Sequence, residues 1–156
     1  MLRDASTADL DEICALIQEL ARYERLEDEV TFDREELGDW LFGRTPKARV
    51  TIVEPDAQPG TVAGMALWYW TFSTFLGRPG IWLEDLFVRP DFRGIGLGSS
   101  LLTSLFERSA GRVEWAVLDW NEPSLAFYRA LGAAPVAGWT RYRWTRSNAD
   151  EVSRRR

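Results

Sequence analysis

Between Arg93 and Gly98 the chain reads Arg93-Gly94-Ile95-Gly96-Leu97-Gly98, and Leu101, Leu102, Leu105 and Phe106 follow at helical spacing. A glycine loop therefore opens a helix. The amides of a helix's first turn have no partner inside the helix, and the helix dipole adds positive potential there, so such a loop is built to receive an anion, a phosphate above all. Glycines let the anion come close, and Arg93 adds a fixed charge beside the nest. Two common nucleotide motifs fit poorly. A P-loop ends in Gly-Lys-Ser/Thr, whereas Gly98 leads into Ser99-Ser100. A dinucleotide fingerprint has its third glycine three places after the second and follows directly on a strand, whereas here the glycines alternate and Arg89 to Arg93 intervene. Close packing at a helix start is the other use such glycines have.

Two further groups stand out by setting. Glu84 and Asp85 interrupt the apolar run Leu83-Glu84-Asp85-Leu86-Phe87-Val88, where burial is costly unless they face a cavity or a partner. Neighbouring strand residues point to opposite faces, so both acids can serve one ligand only if the strand is bulged. A solvent-exposed structural position is the alternative for Asp85. Ser124 and Tyr128 are i and i+4 and share one helical face. Tyr128 could also be a core aromatic, although Phe127 beside it is the more natural core residue. The chain has no His and one Cys, so a tetrahedral zinc site of nitrogen and sulfur ligands cannot be assembled and no metal is expected. Chemistry must rest on carboxylates, hydroxyls and backbone.

The elements that must position these groups are legible from periodicity and turn residues. Ser6-Thr7-Ala8-Asp9 offers a helix N-cap with an acid in the first turn, and Leu10, Ile13, Cys14, Ile17 and Leu20 predict a helix to about Glu24. Asp33 to Phe42 predicts a second. Val50 to Val53 reads as a strand, the turn Glu54 to Gly60 follows, and Val62 to Phe72 returns, with Trp68-Tyr69-Trp70 as core and sheet packing or, for one ring, a cation–π contact. Gly77 to Gly80 turns into a third antiparallel strand, Ile81 to Val88. After the glycine-headed helix come a strand from Val113 to Leu118, a helix from Ser124 to Leu131 and a last strand from Thr140 to Trp144. Strand, helix, strand from Ile81 to Leu118 requires a parallel crossover in a mostly antiparallel sheet. The expected fold class is a mixed α+β domain.

With 156 residues, 46% of them hydrophobic and eight each of Trp and Phe, the chain has material for one domain spanning its whole length, with a frayed tail over about 147–156. A net charge of -5 offers no broad positive field for nucleic acid or an anionic membrane and suits a cationic partner. No apolar run of membrane-spanning length and no leader-like N-terminus is present, and the single Cys14 reads as a buried apolar residue in a reducing cytoplasm.

The segment Arg93 to Gly98 matches the pattern Arg/Gln-x-x-Gly-x-Gly/Ala, and there the chain resembles the GNAT superfamily of N-acetyltransferases. Leu83 to Val88, the run Asp119-Trp120-Asn121-Glu122-Pro123-Ser124-Leu125-Ala126-Phe127-Tyr128, and Glu19 to Glu24 are similar to the spermidine/spermine (diamine) and thialysine acetyltransferases. The likeness covers roughly Leu2 to Trp144. It implies the GNAT fold, a sheet splayed between central parallel strands and flanked by helices, with acetyl-CoA as cosubstrate. Its pyrophosphate is expected on Arg93, Gly94, Ile95, Gly96, Leu97, Gly98 and Ser99, and its pantetheine on the backbone of Leu86, Phe87 and Val88, with Asn121, Ser124 and Tyr128 also in contact. The resemblance assigns Tyr128 as the general acid for the departing thiolate. Glu84 is the expected base, acting directly or through a water, because an alkylamine of pKa about 10.4 must lose a proton before it attacks, at about 4–5 kcal/mol at neutral pH.

The expected acceptor is a small primary amine, a polyamine or a lysine-like amino acid such as thialysine, met by Tyr23, Glu24, Glu84, Asp85 and Glu114. Tyr23 and Glu24 could equally be an ordinary amphipathic helix end. Two departures touch recognition of a distant second amine: a family acid is Ala137 here, and a family His is Glu114. A different acceptor, such as an antibiotic or a protein amine, and a non-catalytic acyl-CoA-binding domain remain the competing readings. Relatives imply a homodimer.

Overall fold

The amphipathic spacing at the N-terminus becomes a single helix, α1, over Leu10–Glu24. In the computed structural model, which describes residues 1–145, a 3-10 turn, Thr7–Asp9, leads into it, and Ser6 and Asp9 form a reciprocal capping box. Arg25 ends α1 in the left-handed region at φ 60, and Leu26 N–H donates to Ala21 C=O at 2.8 Å, closing the final turn around Tyr23 and Glu24. Helix α2, Arg34–Phe42, starts at Asp33, whose carboxylate accepts from Glu36 N–H at 2.9 Å.

The described residues divide into two units, Met1–Leu118 and the residues from Asp119 onward. The first holds a five-stranded sheet of β1 (Leu2–Asp4), β2 (Arg49–Val53), β3 (Gly64–Ser73), β4 (Arg78–Val88) and β5 (Val113–Trp115), in that spatial order. The first three pairings are antiparallel and β4–β5 is parallel, with α3, Leu97–Arg108, as the crossover. The two-residue period sorts the side chains. Val50, Ile52, Met65, Leu67 and Phe87 form one core with Ile13, Leu16 and Leu20 of α1. Thr51 and Trp68 lie on the other face, joined by Trp68 Nε1–H donating to Thr51 Oγ1 at 3.1 Å, and Arg108 of α3 stacks over Trp68.

Arg89, just past β4, ties the sheet to α1. It donates to Glu12, to Glu19 at 2.8 Å and to Val62 C=O at 2.9 Å, which fixes the helix that carries Tyr23 and Glu24 against the strand that carries Glu84 and Asp85. Gly64, paired with Val88, is required by close approach: a Cβ there would lie 2.4 Å from the Phe87 carbonyl oxygen. Gly64→Ala should therefore lower stability by about 2 kcal/mol, read as the urea midpoint at constant slope.

The second unit contains α4, Glu122–Ala130. Four expectations need correction. The short β1 was not anticipated, because three residues carry too little alternation to register. The strand expected over Val113 to Leu118 stops at Trp115. Its partner β4 bulges just after Leu83, the last residue paired with β5, so the two strands part there. Thr140 to Trp144 is not a strand; Trp139, Tyr142 and Trp144 are exposed, so no buried face selects a register. Cys14 is half-buried rather than buried, and burial pushes its thiol above the usual range. The Arg154-Arg155-Arg156 tail lies outside the described residues.

Candidate active site

The glycine segment forms the expected loop. After a 3-10 turn at Pro90–Phe92, Gly94 and Gly96 take φ 78 and 87, a left-handed conformation that side chains rarely adopt, and the space where a Cβ would stand at either is open. The first full turn of α3 closes with Ser100 N–H donating to Gly96 C=O at 3.0 Å, so the amides of Leu97, Gly98 and Ser99 precede the helical ladder. Exposed alternating glycines at the head of a twelve-residue helix fit a phosphate-bearing ligand. Arg93 departs from the simplest expectation. Its Nε donates to Val88 C=O at 2.8 Å and its guanidinium lies 5.0 Å from the Tyr23 ring centroid and 5.6 Å from that of Phe87. It thus links the loop to the end of α1.

The bulge that Glu84 and Asp85 need if both are to serve one ligand is present. Leu67 pairs with Asp85 and Trp68 with Leu83, which leaves Glu84 as the extra residue on β4. The consequence follows from the register. Asp85 shares the α1 face with Leu67, and Trp82, paired with Tyr69, belongs to that face as well. Glu84 turns to it too, because its Oε2 accepts from Trp82 Nε1–H at 2.8 Å. Two adjacent acids therefore address one side of the sheet.

Glu24, at the end of α1, is close enough to Asp85 for their charges to interact. Burial first, then the neighbouring charges of Glu84 and Glu24, pushes the Asp85 carboxyl up to about 7. Burial raises Glu24 as well. Asp85 is half-buried, against the solvent-exposed alternative. A cation entering beside these three carboxylates would relieve their repulsion, and a carboxyl titrating near neutrality is suited to exchanging a proton. Glu114, on β5 beside Trp82, lies on the same face with its carboxylate held by Arg112 Nε at 2.6 Å.

Beyond Leu83, β4 runs on to Val88 without β5 alongside. Leu86 to Val88 therefore has no β5 partner, and the Val88 carbonyl accepts from Arg93 Nε at 2.8 Å. On α4, Asn121 is buried and caps the helix, its Oδ1 accepting from Ser124 N–H at 3.3 Å. Ser124 and Tyr128 are half-buried, and the Tyr128 ring meets Phe127 at 5.2 Å. Sequence reasoning missed Trp82, and the signal that could have found it is its two-residue separation from Glu84, which puts the two on one face of the strand.

The sheet thus parts after the β4 bulge, and a 3-10 turn and the glycine loop lead from β4 into α3. The family model for the acetyltransferase (GNAT) family matches residues 11–133, and the chain belongs to that family and is an acetyltransferase. The thialysine N-epsilon-acetyltransferase of Bos taurus is 37% identical over 92% of this chain and 91% of its own length. The Mus musculus enzyme of that name is 32% identical over 92% and 91%. The human spermidine/spermine N(1)-acetyltransferase-like protein 1 is 28% identical over 93% of this chain and 22% of its own length. Among solved structures, an integron cassette protein from V. cholerae superposes with a TM-score of 0.77 at 22% identity, covering 98% of this chain and 96% of that one.

Proposed function

We propose that the protein transfers the acetyl group of acetyl-CoA to a primary amine of a small cationic acceptor, a diamine or polyamine or a lysine-like amino acid such as thialysine, by direct attack of the amine. The observation that carries this reading is the β4 bulge, which turns Glu84 and Asp85 to the face that Glu24 of α1 also reaches. An acidic patch of this kind favours an ammonium, and the resemblance in sequence to thialysine acetyltransferases supports the same class of acceptor.

In this reading acetyl-CoA supplies an activated acetyl thioester. The loop Arg93 to Ser99 holds its pyrophosphate, the backbone of Leu86, Phe87 and Val88 its pantetheine, and Asn121 and Ser124 make further contacts. Backbone N–H groups at Leu86 to Val88 stabilise negative charge on the carbonyl oxygen. Glu84 takes the proton from the acceptor's ammonium, directly or through a water, and Tyr128 donates one to the leaving sulfur. Tyr23, Glu24, Asp85 and Glu114 hold the cationic acceptor. We further propose a cytoplasmic homodimer of one domain per chain. Among the described residues, no helix is long and apolar enough to cross a membrane.

Thiol release from acetyl-CoA against thialysine, ornithine, putrescine, spermidine and an aminoglycoside tests the reading. The highest kcat/KM is expected for a lysine-like or diamine acceptor. Preference for the aminoglycoside would instead establish the antibiotic reading. Stabilisation by acetyl-CoA with no thiol released by any amine would leave only a binding domain.

A further inference from the structure

We propose that Trp82 is a positioning residue for proton abstraction: its indole N–H holds Oε2 of Glu84 and leaves Oε1 to receive the acceptor's proton. The inference rests on Glu84 being the base. Glu84 is the one residue of β4 left out of register by the bulge, and it is exposed, so its backbone setting does little to fix its side chain. Trp82 stands in the opposite situation. It lies in the Ile81 to Leu83 stretch where β4 is paired on both sides, with Tyr69 of β3 and with Glu114 of β5. A rigidly mounted donor thus reaches, at 2.8 Å, an acceptor mounted on the bulge.

The chemistry suits that task. An indole has a single N–H and no acceptor, so it binds only an oxygen lone pair. When the acceptor's N–H bond breaks and an O–H bond forms at Oε1, with the electron pair remaining on nitrogen, Oε2 becomes the carbonyl oxygen and still accepts from the indole. The contact therefore persists through the proton transfer, weaker to the neutral acid than to the carboxylate, so its use is to orient Oε1 and not to raise the basicity of Glu84. The other carboxylate beside the ring, Glu114, is engaged by Arg112 at 2.6 Å, which reduces its competition for the indole N–H. The face of the Trp82 ring contributes packing, and a phenyl ring supplies much of that; only the N–H is particular to tryptophan.

Trp82→Phe, assayed for thiol release with the preferred amine, should lower kcat about five- to tenfold while both KM values stay within about twofold. The same substitution made in Glu84→Gln should add no further loss, since the group it positions is gone. A Trp82→Phe enzyme with parental kcat, while Glu84→Gln is slow, overturns the positioning role and leaves the base intact; so does an equal loss in both backgrounds. Parental kcat in Glu84→Gln removes the base assignment and this inference with it. If the Phe variant folds poorly, Trp82→3-benzothienylalanine, which replaces the N–H by sulfur in a ring of the same shape, gives the same comparison.

Discussion

Replacing Tyr128 by Phe is expected to lower the turnover of thiol release by about a hundredfold, the lower end of what a general acid contributes. The substitution deletes one hydroxyl and keeps the ring that meets Phe127 at 5.2 Å on α4. Helix α4 is held by its Asn121 cap and Pro123 in its first turn, neither of which the change touches, so the thermal midpoint should shift by less than about 2 °C. The KM for the amine should change little, because the role proposed for the hydroxyl is at the leaving sulfur and not at the acceptor. If Tyr128 were only a half-buried aromatic, Phe would serve as well and turnover would be unchanged. That result would remove the assigned acid, while the acceptor preferences measured on the parent enzyme would stand.

What the sequence reveals and what it conceals follow a physical division. Helices α1 and α3 and strands β2 to β4 are long enough for their periods to register, and the turn residues at Glu54 to Gly60 and Gly77 to Gly80 separate the strands, so their order and the parallel crossover were legible. The glycine loop was legible because its chemistry depends on local residue types: Gly94 and Gly96 take the positive φ values that their spacing suggests. Elements whose extent is set by partners were not. Strand β5 ends where β4 bulges away from it, and Thr140 to Trp144 has strand-like residues but no strand.

The same division runs through the site. Two acids in an apolar strand could serve one ligand only across a bulge, but which residue it displaces is visible only in the β3–β4 register, which leaves out Glu84 and sets Asp85 opposite Leu67. From that displacement follow the place of Asp85 on the α1 face, its burial and its nearness to Glu24, which a strand-period reading could not supply, whereas the indole bond to Glu84 joins two residues that the strand period already puts on one face. Arg93 was identified by motif, yet its guanidinium lies over Tyr23, a contact set by the packing of α1 on the sheet.

Asp85→Asn should make the protein more stable at pH 8 and less able to bind its amine. In the folded chain the Asp85 carboxyl is raised from 3.8 to about 7, so between those values the folded state holds a proton that the unfolded state has released. Stability derived from this group is fully present below about pH 4 and declines as pH rises to about 7, above which the folded protein carries a charge beside Glu24 and Glu84 in a half-buried position. A shift of this size corresponds to at most about 4 kcal/mol, and relaxation of the surrounding side chains reduces it, so about 2 kcal/mol is expected in the variant's favour at pH 8. Urea unfolding at pH 5 and pH 8 reads it: the parent loses stability between the two and the Asn variant loses much less. A parental slope in the variant would show that Asp85 is not the titrating group. An ammonium beside Asp85 supplies the charge that the protein alone withholds, so saturating amine should raise the parent's midpoint more at pH 8 than at pH 5, a difference that Asp85→Asn should shrink. The repulsion among Glu24, Glu84 and Asp85 is, on this account, a stability deficit that a cationic acceptor reverses on binding, which is why the stabilising substitution is expected to weaken the enzyme.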